Sequence, residues 1–188
     1  MWWVYVDGAC FDNGKPWARA GYGVWFGNNH FLNCSGTFPG RQTNQLAEIQ
    51  AAIVAIEIAI DEQMDSLKIH TDSMYLIKGA TSWIDKWKNN GWMTCSGDHV
   101  VSMDKWLELD EAISRYWDQG GDLSWKYVPG HSGNFGNMQA DRMARDAASS
   151  SDYSDEDDTD GGSYDEDDSD GDYYDEDDSD DGYDEDDY

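Results

Sequence analysis

The chain has 188 residues and a formal net charge of −28, but the charge is unevenly spread: residues 149–188 hold 22 Asp or Glu and no Lys or Arg. Residues 1–148 therefore carry only −6, from 12 Lys+Arg against 18 Asp+Glu, together with all ten Trp. That excludes a disordered chain for the first part, which can build a real core, and excludes a packed core for the acidic remainder, which cannot offset its ordering entropy.

Three widely spaced cysteines (Cys10, Cys34 and Cys95) without a CxxC predict free thiols rather than a disulfide framework. No apolar run approaches a membrane span, and no leader peptide is predicted ahead of the strand-like start. The expectation is a soluble, intracellular monomer, with nucleus and cytoplasm not distinguished.

In chain order, residues 2–6 alternate as a strand and stop at Asp7-Gly8. Residues 20–26 and 30–37 read as two more strands, joined by Gly27-Asn28-Asn29. Thr43 or Asn44 can cap a helix to about Ile60, with Leu46, Ile49, Ile53, Ile56 and Ile60 at helical spacing. Residues 67–71 form a short strand, and Asp72-Ser73 can cap the next helix. A short helix is predicted over 83–88, broken by Asn89-Asn90-Gly91, then a longer one over 103–118. A strand over 123–128 ends at Pro129-Gly130, and a last helix spans about 136–148. The order βββαβαβα predicts an α/β fold with one five-stranded mixed sheet flanked by helices.

Four acids occupy positions where a purely structural role is awkward. Asp7 and Asp72 each end a predicted strand, and Asp141 heads the last helix. Glu48 lies on the line Glu48, Ala52, Ala55, Ala59, a small-residue stripe suited to close packing rather than to a solvated charge. Each has a plainer reading: Asp7 as a turn residue, Asp72 as a helix cap, Asp141 as half of an i,i+4 pair with Arg145. Gathered at one sheet rim, however, four carboxylates would repel unless divalent cations neutralised them, and hard oxygen donors favour Mg²⁺. Zinc-ligand spacing, a GxxxxGK[ST] loop and a GxSxG elbow are all missing from the sequence.

The segments YVDGAC (5–10), GRQTNQLAE (40–48), HTDSM (70–74) and VPGHSG (128–133), followed by Ala140-Asp141, resemble the type 1 ribonuclease H family in order and spacing. The resemblance covers nearly all of residues 2–148. It implies the ribonuclease H-like fold and endonucleolytic hydrolysis of the RNA strand of RNA–DNA hybrids, leaving 5′-phosphate and 3′-hydroxyl ends. Asp7, Glu48, Asp72 and Asp141 are then the ligands of two Mg²⁺ ions, with Mn²⁺ able to substitute and Asp7 bridging both. His131, otherwise an ordinary loop residue, matches the family's mobile histidine for proton transfer and product release.

By the same resemblance Asn13, Asn44, Gln45 and Met74 contact RNA. The three amides suit a 2′-hydroxyl because they both donate and accept. As bare sequence, Asn13 and Asn44 also read as turn and cap residues. Arg41 and Thr43 match a DNA-phosphate pocket, and Trp83 and Trp87 the aromatic wall of a DNA channel, although unaided they read as core. Two positions depart from the pattern: Ser102 replaces a pocket Asn, and Cys95 a channel Ser. The segment after Trp87 is poor in lysine, with Lys86, Lys88 and Lys105 remaining, which predicts weak hybrid binding.

The acidic part repeats YDEDDSD at 164–170 and 174–180, with near copies at 154–160 and 183–187. It is low complexity. It reads as a solvating appendage, a binder of a basic protein partner, or an intramolecular nucleic-acid mimic. Rival functions for the whole are a catalytically silent hybrid-binding module tethering that segment, and another nuclease or recombinase of the same superfold.

Overall fold

The computed structural model describes residues 1–94, 96–130 and 132–150; the expectations for Cys95, His131 and the repeats beyond residue 150 fall outside the described residues. β1 (Trp2–Phe11), β2 (Arg19–Trp25), β3 (Cys34–Gly36), β4 (Ser66–Thr71) and β5 (Asp122–Tyr127) form one sheet in the order β3-β2-β1-β4-β5. β1–β2 and β2–β3 are antiparallel, while β1–β4 and β4–β5 are parallel, so the sheet is mixed. Among the described residues five α-helices accompany it: α1 (Asn44–Asp61), α2 (Met74–Lys78), α3 (Ile84–Asn90), α4 (Met103–Asp118) and α5 (Phe135–Ser150). Cys10 and Cys34 are free thiols. Among the described residues no helix is long and apolar enough to cross a membrane.

Several elements differ from the sequence expectation. β1 does not stop at Val6 but runs ten residues, with Asp7 inside it. The third strand shrinks from 30–37 to Cys34–Gly36 because Asn33 closes the preceding turn with its side chain, accepting from Phe26 N–H (2.7 Å) and donating to Gly27 C=O (2.6 Å). The helix expected after Asp72-Ser73 does begin there, at Met74, and of the two candidate caps it is Ser73 whose Oγ accepts from Leu76 N–H. α2 continues into α3 through a single π-turn over Gly79–Trp83. A side chain at Gly79 would drive a Cβ to 2.0 Å from the Trp106 ring, so the helical segment can lie on that buried indole only with glycine there.

One face of the sheet is sealed by α1 and α4. Val4, Val6 and Val24 meet Ile49, Ile53 and Ile56 in the core, with Trp106, Leu109 and Tyr116 behind them. Ala52, Ala55 and Ala59 are wholly buried, which lets α1 lie close to the strands. The closest approach is at Gly8, where a Cβ would stand 2.4 Å from Glu48 N and 2.6 Å from Ala47 C. On the other face α5 covers β1, β2 and β3. There a Cβ on Gly21 or Gly23 would meet the Ala144 or Ala140 carbonyl at 2.4 or 2.2 Å. The obstacle at Gly8 is helix backbone, which cannot swing aside as a side chain would. Gly8→Ala is therefore expected to cost about 3 kcal/mol in chemical denaturation, at the upper end of overpacking effects, and to separate Glu48 from Asp7.

Candidate active site

β1 pairs with β4 only from Trp2 to Tyr5. Beyond that point the two strands diverge and open a crevice at the carboxyl end of β4, the usual place for ligands in such sheets. Asp7 lies two residues past the last pair, and Asp72 follows Thr71 directly at the end of β4. Asp7 is thus mid-strand, not strand-terminal; what ends there is its pairing with β4. Asp141 likewise does not head its helix but sits in its second turn, where α5 has already reached β1. Asp7, Glu48, Asp72 and Asp141 line a single cavity of about 380 Å³ together with Asn44, Asn137 and Arg145.

Each acid has a partner of its own. Asp7 Oδ1 accepts from Gly8 N–H at 2.8 Å. Glu48 accepts from Ser73 Oγ and from Asn44 Nδ2 (3.2 Å). Asp72 Oδ2 accepts from Asn137 Nδ2 at 2.8 Å, and Asp141 pairs with Arg145 Nε at 2.9 Å. These bonds do not offset the burial. Desolvation, reinforced by the charges of Asp72, Asp141 and Glu48, pushes the Asp7 carboxyl up from 3.8 to about 8. Burial and Asp72 push Glu48 up from 4.5 to about 7 against the pull of Ser73. The acids share a cavity rather than a closed shell: among the described residues no three such side chains form a ready-made coordination sphere. The donors are all carboxylate oxygens in a charge-repelling cluster, a set that fits hard divalent cations.

Around the cavity the remaining candidates fall into groups. Asn13 Oδ1 accepts from Asn44 N–H (3.4 Å), and Gln45 is exposed beside them, so Asn13, Asn44 and Gln45 stand together on the rim near α1. Asn44 lacks any evident charged partner in the sequence, yet its amide is bonded to Glu48. Met74, at the start of α2, is 43% exposed. Thr43 is the α1 cap, its Oγ1 accepting from Leu46 N–H, and it lines a second cavity of about 360 Å³ with Arg41 and Lys15. Lys15 is a positive charge that motif matching passed over. Ser102 does not line that cavity; it precedes α4 in a left-handed conformation (φ 62°).

Trp83 and Trp87 are neither core nor free surface. Both are half-buried, 5.7 Å apart, in an aromatic ladder that runs from Tyr75 to Trp83 to Trp87 and on to Trp92, with the buried Trp106 behind. Two of the nearby lysines are occupied: Lys88 pairs with Asp110 (2.9 Å), and Lys105 Nζ bonds Gln50 and Glu108 (2.7 Å each). Sequence reasoning named Ser73 only as a helix cap and Arg145 only as an i,i+4 partner of Asp141, and gave Asn137 and Gly130 no functional role.

A five-stranded mixed sheet with acids gathered where β1 and β4 part defines a ribonuclease H-like domain. Residues 2–149 match the RNase H family, and the chain belongs to it. It is 48% identical over 149 residues to Ribonuclease H1 of Rattus norvegicus, covering 79% of this chain and 50% of that protein. The chain therefore spans about half the length of the mammalian relatives it matches. Ribonuclease H of a Cyanothece species is 38% identical over 144 residues, covering 76% of this chain and 85% of the relative. The crystal structure of LC9-RNase H1 superposes with a TM-score of 0.63 at 26% identity, over 79% of this chain and 72% of that one.

The carboxyl shifts bear directly on stability. Asp7 titrates near 3.8 when unfolded and near 8 when folded. The folded state therefore holds the extra proton, and stability is lost as pH rises through that window. Without divalent cations, Asp7→Asn removes this penalty while its Oδ1 can still accept from Gly8. The variant is expected to be more stable than wild type by about 3 kcal/mol at pH 8, several degrees in Tm, with the gap closing toward pH 4. Thermal melts across that range check it; an unchanged or lowered Tm at pH 8 contradicts the electrostatic reading.

Proposed function

We propose that residues 1–148 are a catalytic domain that hydrolyses the RNA strand of RNA–DNA hybrids, with residues 149–188 an appended acidic segment open to basic protein partners. The observation that carries the reading is the burial of Asp7 in one cavity with three further acids, drawn from two strands and two helices on opposite faces of the sheet. A fold does not keep that charge arrangement for stability.

In this reading Asp7, Glu48, Asp72 and Asp141 hold two divalent cations, Mg²⁺ with Mn²⁺ as substitute, and cleavage leaves 5′-phosphate and 3′-hydroxyl ends. When bound, the cations neutralise the carboxylates, activate a water and stabilise the leaving oxygen. The chain's own groups prepare the site for them. Gly8 N–H fixes the Asp7 carboxylate, and Ser73 Oγ opposes protonation of Glu48. Arg145 keeps Asp141 turned to the cavity from the next turn of α5.

Asn44 joins substrate to chemistry, since the amide assigned to the RNA strand also holds Glu48. Arg41, Thr43 and Lys15 line a pocket suited to a backbone phosphate of the DNA strand, and the half-buried rings of Trp83 and Trp87 offer an aromatic surface for that strand. By their matched positions, Ser102 and Cys95 belong to the same DNA-facing channel. His131 is assigned the proton traffic on its sequence position, since a histidine side chain is the residue type suited to exchanging protons at neutral pH.

Offered matched RNA–DNA, RNA–RNA and DNA–DNA duplexes with Mg²⁺ or Mn²⁺, the protein is expected to cut only the RNA of the hybrid. Asp7→Asn should lower kcat at least about a hundredfold, with hybrid Kd moving by less than about threefold. Retention of a tenth of the activity would remove the two-cation assignment.

The amides separate by partner. Gln45→Ala should raise KM about threefold or more with kcat nearly held, because Gln45 is exposed and does not line the acid cavity. Asn44→Ala should lower kcat as well, because it also frees Glu48. Identical kinetics for the two variants would leave Asn44 without its link to Glu48.

A further inference from the structure

Asp72 is held from outside its own strand. Its Oδ2 accepts from Asn137 Nδ2 at 2.8 Å, across 65 residues of sequence. The same oxygen lies 2.8 Å from where a Cβ on Gly130 would stand. The carboxylate is thus clasped between α5 and the segment leading into it. An ionised carboxylate only accepts hydrogen bonds, so this contact dictates which end of the Asn137 amide is nitrogen and turns Oδ1 the other way. Among the described residues that Oδ1 is buried without a hydrogen-bond partner, in a residue only 5% exposed that lines the carboxylate cavity. An unpaired buried acceptor is unfavourable, so folding alone would favour an apolar side chain here. What the amide contributes is its nitrogen's grip on Asp72.

We propose that Asn137, backed by Gly130, is the positioning residue of Asp72. It holds one carboxylate oxygen so that the other faces the cavity, and thereby sets the affinity of the site for divalent cations. The inference rests on the two-cation reading. It gives the β5–α5 connection a task separate from that of His131: the backbone at Gly130 and the first turn of α5 form a gauge for an acid that β4 delivers. Groups that orient a metal ligand commonly change metal affinity ten- to a hundredfold when lost.

The test needs no substrate. Mg²⁺ is titrated into the full chain and followed at the backbone amide signals of Gly8 and Ser73, which report on the cavity and not on the acidic repeats. Asn137→Ala is expected to raise the Mg²⁺ Kd read there by about tenfold or more. Gly130→Ala, at a position without positive φ, presses a methyl on Asp72 and should weaken binding in the same direction. It decides the matter if Asn137→Ala does not fold. Asn134→Ala is the control: it removes the acceptor for Asn137 N–H (3.2 Å) at the start of α5 without touching Asp72. It should lower Tm and leave the Kd unchanged. Wild-type affinity in both Asn137→Ala and Gly130→Ala overturns the inference while leaving the two-cation reading intact. Failure of Mg²⁺ to perturb Gly8 and Ser73 in the wild type overturns both.

Discussion

The constraint on which the site depends is the distance between two helices and the strands they cover. α1 approaches β1 at Gly8 and α5 approaches β2 at Gly21 and Gly23, each so closely that one added carbon would overlap helix backbone. Glu48 and Asp141 therefore arrive from opposite faces at the rim where Asp7 emerges. Close packing of this kind comes from small residues, Ala52, Ala55 and Ala59 on α1 and Ala140, Ala144 and Ala148 on α5, all fully buried. The core supplies the attraction; the glycines and alanines set how far it can proceed.

Convergence has an electrostatic consequence. A hydrophobic core drives α1 and α5 inward and carries their acids along, so apolar burial works against charge repulsion at the rim. The raised Asp7 and Glu48 carboxyls measure that opposition. The local bonds to Gly8, Ser73 and Arg145 orient the groups rather than neutralise them: a neutral donor fixes a lone pair but adds no charge, and Arg145 is partly exposed. A site built this way is poised for added positive charge.

Much of this was legible in the residues. Core-facing periodicity located α1, and the alanine stripe through Glu48 marked it as an acid on a buried face. β4 and α4 were also evident, because their patterns are local. Errors arose where local chemistry mimics something else. Asp7-Gly8 resembles a turn, but Gly8 is glycine because α1 passes over it, a long-range reason. The length of β3 was hidden because Asn33 closes its turn with side-chain bonds. Asp141 appeared to head a helix because it follows the Gly- and Asn-rich stretch 130–137, although the expected span of about 136–148 already set it inside that helix. Asn137 and Gly130 were invisible as functional residues, since their partner is 65 and 58 positions away and neither residue type signals a contact.

The surface around the cavity follows the same logic of committed charge. A polyanion is ordinarily gripped by free lysines and arginines, but the α3–α4 region ties Lys88 to Asp110 and Lys105 to Glu108 and Gln50. Besides the exposed Lys86, what remains is shape and contact: a half-buried aromatic ladder anchored on Trp106, amides around Asn44, and a pocket where Arg41 and Lys15 meet at the α1 cap. Such a surface gains little from long-range attraction and more from fit, because aromatic walls and amide pairs act only at contact distance. The ladder and the amides belong to elements that also carry the acids or follow them directly, α1 after Thr43 and α2 after Ser73. If the proposed function holds, a duplex seated on those elements would be registered against the cavity by the same backbone that holds Glu48 and Asp72, and binding and alignment would become one geometric event.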